Sequence, residues 1–149
     1  MLGPYDITPL IAQLQADVPA FRLVAGAADF VTASKEAAPS APACYVLLSS
    51  ESAKPQSGGS RTAVQAITTR FDVVLASRSY RSAELRGQAA PQLTELVGDV
   101  RQALIGKAPP GFAPGQATAI ELVSGALVGY ADGVAWWKET YQTTYWSQQ

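Results

Sequence analysis

The sequence contains no histidine and a single cysteine, Cys44. Histidine-based triads, histidine metal sites and histidine general bases are therefore excluded, and one thiol cannot build a cysteine-rich zinc site. Cys44 heads the apolar run Cys44-Tyr45-Val46-Leu47-Leu48, with no histidine to activate it, and reads as a buried structural thiol. The twelve acids are dispersed and form no DxD or ExxE pair. Glu95 and Asp99 lie one helical turn apart, but two carboxylates supply fewer oxygens than a hard cation needs, so they read as solvated acids. The stretch SGGSR, Ser57 to Arg61, has the glycine content of a phosphate cradle. It lacks the GK[ST] ending of a P-loop and no helix follows it, so it reads as a hairpin tip. These residues give no catalytic, cofactor-binding or metal-ligating set.

Residues suited to binding another macromolecule are more prominent. Between positions 61 and 86, Arg61, Arg70, Arg78, Arg81 and Arg86 oppose only Asp72 and Glu84. On an extended strand Arg70 and Arg78 share a face and Arg61 takes the other. Arg78-Ser79-Tyr80-Arg81 forms a corner suited to contact with a partner. At the C-terminal end, GYADGVAWWKETYQTTYW, six of eighteen residues are aromatic. The whole chain carries a formal net charge of -1, which gives no global attraction to nucleic acid or an anionic membrane.

The elements that must position these residues follow from periodicity. Ile7, Leu10, Ile11, Leu14 and Val18 make one apolar stripe, which predicts a helix over 6–18 capped by Asp6 or Thr8, with Pro9 in its first turn. Asp17-Val18-Pro19 ends it, because the residue before a proline is pushed out of the helical region. FRLV, residues 21–24, is a short strand, followed by a helical or irregular segment and a proline-punctuated connection over 36–43. Residues 44–48 form a buried strand. Residues 49–61, SSESAKPQSGGSR, predict an exposed mobile loop, and residues 62–79 a long, bulged or bent strand that completes a hairpin. Ala89, Leu93, Leu96, Val97, Val100 and Leu104 share one face of a second main helix, whose first turn must lie near Gly87 or Gln88 to accommodate Pro91. Gly106 and Pro109-Pro110 close it.

Residues 119–130 and 134–146 read as paired strands, because Asp132-Gly133 supplies the positive φ that a two-residue hairpin turn requires. Parity then places Trp137, Glu139, Tyr141 and Tyr145 on one face. Trp136, Lys138, Thr140 and Trp146 fall on the other, where a tryptophan needs an edge or a partner to cover it. The chain reads as one α+β domain over 1–149, with a largely antiparallel mixed sheet, a long hairpin and two main helices. No run reaches the roughly 18 apolar residues that span a bilayer. The N-terminus lacks the basic and apolar regions of a signal peptide, and one cysteine is compatible with a reducing compartment.

The succession PAFRLVAGAADF, APACYVLLSSESAKP, VQAITTRFDVVLASRS, VRQALIGKAPPG and LVSGALVGYADGVAWWKETYQTTYW resembles the tail terminator, or tail completion, proteins of long-tailed bacteriophages, particularly the Mu-like branch. The similarity spans nearly the whole chain. It is most specific in the RFDVVLASR strand, in ALIG with its proline segment, and in the closing aromatic run. The resemblance implies a structural virion protein and no enzyme. It implies a homo-hexameric ring on the last ring of the tail tube, which stops tube polymerisation and presents the surface that joins the head. Its partners would be its own copies, the tail tube protein and a head-completion or connector protein. Assembly would take place in the host cytoplasm, with no membrane and no cofactor. In such a ring Arg70, Arg78, Tyr80, Arg81, Trp136 and Trp146 are the interface candidates. Lys54, Gly58, Gly59 and Arg61 of the loop would face the lumen, near passing DNA, or a neighbouring ring. The competing reading is a small cytoplasmic protein-binding module without catalytic activity.

Overall fold

The computed structural model describes residues 3–35, 41–55, 64–78, 91–131 and 133–147. In chain order the elements are α1 (Thr8–Asp17), β1 (Leu23–Ala25), α2 (Ala27–Lys35), β2 (Ala43–Ala53), β3 (Ala66–Arg78), α3 (Pro91–Leu104), β4 (Glu121–Ala131) and β5 (Val134–Trp146). The five strands form one mixed sheet in the order β1-β2-β3-β5-β4. β1 runs parallel to β2, and every other neighbouring pair is antiparallel. The architecture is α+β.

Helix α1 buries Leu10 and Leu14, with Val18 just beyond its end. Its start departs from the expected cap. Ile7 occupies the N-cap position without a side-chain bond, while Asp6 Oδ1 accepts the Thr8 N–H at 3.0 Å from just before it. The Val18 N–H closes the last turn on Leu14 O before Pro19. Helix α3 buries Leu93, Leu96, Val97, Val100, Ala103 and Leu104 along one stripe. Each fully buried leucine contributes about 1.5–3 kcal/mol relative to an exposed one. Ser77 Oγ donates to Gln92 Oε1 at 2.6 Å and ties the end of β3 to the first turn of α3. The expected start of this helix near residues 87–88 lies outside the described residues.

Strand pairing extends further than the loop expected over 49–61. β2 continues through Ala53 opposite Ile67, so residues 49–53 are ladder, and 56–61 lie outside the described residues. The irregularity expected in the long strand is also elsewhere. β3 pairs with β5 without a slip, from Ala66 opposite Trp146 to Arg78 opposite Val134. The register shifts instead fall in β2, at Ser49, and in β4, at Val123 and Val128. Each extra residue switches the side-chain parity of the strand beyond it. The two shifts in β4 consequently turn Leu122, Leu127 and Tyr130 to one face, where all three pack on the main core.

That core lies between the sheet and helices α1 and α3, and takes Phe71, Val73 and Leu75 from β3 and Tyr141 and Tyr145 from β5. On the opposite face α2 covers one end only. There Phe30 packs on Tyr45 and Trp136, with ring centroids 5.6 and 6.1 Å apart. The hairpin between β4 and β5 closes from Ala131 to Val134, with Gly133 at φ 74°. This left-handed value is the one that favours glycine.

Candidate functional site

The residues expected to make contacts separate into two groups on the sheet face opposite α1 and α3. Trp136 pairs with Ala76 and Arg78 with Val134, at the end of the sheet where α2 packs. Arg70 and Trp146 lie towards the other end, opposite Gln142 and Ala66. At about 3.4 Å per residue, the ten positions from Trp136 to Trp146 place them roughly 34 Å apart. Trp136 is half-buried and stacks on Tyr45 at 6.2 Å, so its own chain supplies much of its cover. Trp146 remains 37% exposed. Lys54 is exposed near it, its N–H bonded to Ala66 O at 3.0 Å. Gly58, Gly59, Arg61, Tyr80 and Arg81 lie outside the described residues.

Between the two groups the face is polar and cross-linked by side chains. Thr68 and Thr144 share a hydroxyl hydrogen bond of 2.9 Å, and Thr140 Oγ1 donates to Asp72 Oδ1 at 2.7 Å. Arg70 Nε donates to Gln142 Oε1 at 3.3 Å, and Gln142 Nε2 donates on to Glu121 Oε1 at 2.5 Å. Three strands are thus joined above the backbone ladder. Such cross-strand pairs each contribute about 0.2–1 kcal/mol.

The opposite face holds the feature that sequence reasoning missed. Glu139 is completely buried, and its carboxylate takes four donors. Arg101 reaches it from α3 with Nε to Oε1 at 2.6 Å and a terminal nitrogen to Oε2 at 3.0 Å. Trp137 Nε1 donates to Oε2 at 3.0 Å and Tyr141 Oη to Oε1 at 3.2 Å. The carboxylate raises the Arg101 pKa by direct hydrogen bonding, and burial, then the Glu139 charge, raise that of Tyr141. A carboxylate engaged on both oxygens by a cation and two ring donors is committed to structure, since no oxygen is presented to a substrate. One signal was available: Glu139 shares parity with Trp137, Tyr141 and Tyr145, the face that must be buried.

A second carboxylate performs a related task at the edge of the core. Glu51 Oε2 accepts the Tyr145 hydroxyl at 2.8 Å and the Tyr5 N–H at 3.2 Å. The Tyr5 ring stacks on Phe112 at 5.0 Å and its hydroxyl donates to Pro110 O at 2.8 Å, so the segment before α1 is strapped to the α3–β4 connection. Burial raises the pKa of both tyrosines. The Cys44 thiol is buried on the same side, and desolvation pushes its pKa up to about 12. It is therefore protonated and inert at neutral pH.

An open cleft of about 540 Å³ runs between the end of α1 and α3, with Asp17, Asp99 and Lys107 on its walls. Among the described residues, no hydroxyl or thiol lines it. Among the described residues, no group of three acidic or cysteine side chains is arranged to hold a metal ion.

The chain belongs to the phage tail terminator protein family, whose model matches residues 1–149. Membership makes it a structural component of a phage tail and hence of the virion. No curated protein matches the chain. No helix among the described residues is long and apolar enough to cross a membrane.

Proposed function

We propose that this chain caps the head-proximal end of a phage tail tube as a homo-hexameric ring. In that position it stops tube polymerisation and forms the surface to which the filled head joins, without catalytic activity. The observation that carries the reading is the family match over residues 1–149, the whole chain taken as one tail-terminator-like domain. Two features support it. The sheet offers an open polar face, and the buried Glu139, Tyr141 and Cys44 all serve packing. The partners are further copies of the chain, the tail tube protein and a head-completion or connector protein, met in the host cytoplasm during assembly. The closing aromatic motif favours the Mu-like branch.

Arg78 and Trp136, with Tyr80 and Arg81, and Arg70 with Trp146 are the interface candidates on the sheet face. The segment with Lys54, Gly58, Gly59 and Arg61 serves the lumen or a neighbouring ring, and a lumen position would set its two cations beside passing DNA. Normal DNA ejection and tail joining after replacing Lys54 and Arg61 with alanine contradicts that placement.

Light scattering on the purified chain, alone and mixed with purified tail tube protein, tests the ring. The expected result is a closed oligomer in at least the second condition. A monomer at every concentration in both conditions contradicts it.

A further inference from the structure

We infer that neighbouring copies join by strand pairing, the outer edge of β4 in one copy hydrogen-bonding to the outer edge of β2 residues 46–53 in the next. The setting rests on the proposed ring, while the geometry comes from the sheet itself. β4 is the last strand of the sheet, and among the described residues only β5 pairs with it along its length. At the other end β1 covers just Ala43 to Tyr45, so among the described residues no strand pairs the outer side of 46–53. Among the described residues, one molecule therefore carries two open edges, residues 121–129 of β4 and 46–53 of β2.

Open edges are normally guarded by charge, proline or bulges. Residues 122–130, LVSGALVGY, contain no charge and no proline. Bulges are present, and they expose Val123 and Val128 at 39% and 54% while residues 124–127 between them stay in register with β5. On β2 the single charge, Glu51, is turned inward to Tyr5 and Tyr145. Leu48 is exposed at 38% beside that edge. Among the described residues, both edges thus offer backbone groups that no strand opposes and exposed apolar side chains, and neither 122–129 nor 46–53 turns a charge outward.

Direction fits as well. Three successive antiparallel pairings make β4 run opposite to β2, so one copy's β4 meets the next copy's β2 as an antiparallel pair. Pairing β4 with β4 about a two-fold axis is the competing arrangement. It leaves both β2 edges open, whereas β4-to-β2 pairing is heterologous and occupies both of these edges in every copy once a ring closes.

Cysteines at Ser50 or Ser52 of β2, combined with Ser124 or Ala126 of β4, test the contact. All four positions are exposed, and the register places all four on the same sheet face. Chains carrying one cysteine on each edge, assembled on tail tubes and oxidised, are expected to give a ladder of covalent oligomers, and single-edge variants none. Amide exchange across 122–130 and 46–53 of the unmodified chain should slow at least about tenfold on assembly. Slowing at both edges supports the pairing even where the register holds the thiols apart. A ring seen by electron microscopy with neither cross-links nor slowed exchange overturns the edge contact and leaves the ring reading standing. A covalent dimer from Ser124→Cys alone assigns the edge to β4–β4 pairing and also overturns it. A chain that stays monomeric on the tube overturns both.

Discussion

Gly125 lies directly across the β4–β5 ladder from Glu139, and the carboxylate occupies the space that a Cβ on Gly125 would take. Such a Cβ would also stand 3.1 Å from the Trp137 ring and 3.2 Å from an Arg101 terminal nitrogen. The glycine is required by this close approach, which admits the Arg101 guanidinium from above. Gly125→Ala should cost about 1–3 kcal/mol, the usual penalty for overpacking a filled site. Gly129→Ala is the control, because nothing lies within 4 Å of the added carbon. Urea denaturation of both variants checks the contrast. Equal stability would mean that the carboxylate moves aside without cost.

Removing either partner of the Arg101–Glu139 pair should be more damaging than removing both. Glu139→Ala strands the guanidinium, the Trp137 N–H and the Tyr141 hydroxyl, and should cost about 3–5 kcal/mol. Arg101→Met leaves the carboxylate with two neutral donors. Its cost should reach that range as well, since the carboxylate left without its cation is fully buried. Combining Arg101→Met with Glu139→Ala should lose less than the sum of the two single changes. A double-mutant cycle by denaturant titration measures the difference, and strict additivity would show that the pair is uncoupled.

Thr69 Oγ1 is buried and is the one such side-chain atom without a hydrogen-bond partner among the described residues. Thr69→Val keeps the shape and removes the unsatisfied hydroxyl. It should stabilise the protein by about 1 kcal/mol, read as a higher denaturation midpoint with an unchanged slope. A loss of stability would indicate that the hydroxyl is bonded in solution.

Alkaline pH should weaken the fold through Cys44. Burial lifts its thiol from 9.0 to about 12, so the native state holds a proton that the unfolded chain releases. The stabilisation is complete below pH 9.0 and is lost as pH rises towards 12. Across that window the slope approaches about 1.4 kcal/mol per pH unit for this one group. Buried Tyr5, Tyr141 and Tyr145 add losses of the same sign at higher pH. Cys44→Ala should flatten the dependence between pH 9 and 10, measured by urea titration at several pH values. An unchanged slope would assign it to other groups.

Much of this architecture was legible because its signals are local. The α3 stripe from Leu93 to Leu104 and the glycine of the β4–β5 turn are readable within a few residues. So is the alternation from Trp137 to Tyr145 on β5. The bulges at Ser49, Val123 and Val128 were not, because they depend on what the neighbouring strand and the helices above demand. The extension of β2 through Ala53 escaped for a related reason. Its serines look like loop residues, and only the pairing of Ser50 with Arg70 and of Ser52 with Thr68 makes them strand. The Glu139 site combines both cases. Parity turned the residue inward, but its cation lies 38 positions away on a helix and the glycine that admits it is on a third element. Trp136 shows the converse. Its parity set it on the face opposite the main helices, and the rings that cover it there belong to α2 and β2.

Electron microscopy of phage particles assembled without this chain tests the central claim most directly. A protein that ends tube growth and joins the head leaves, when absent, overlong tails without heads beside filled heads without tails. Tails of normal length joined to heads would contradict the account.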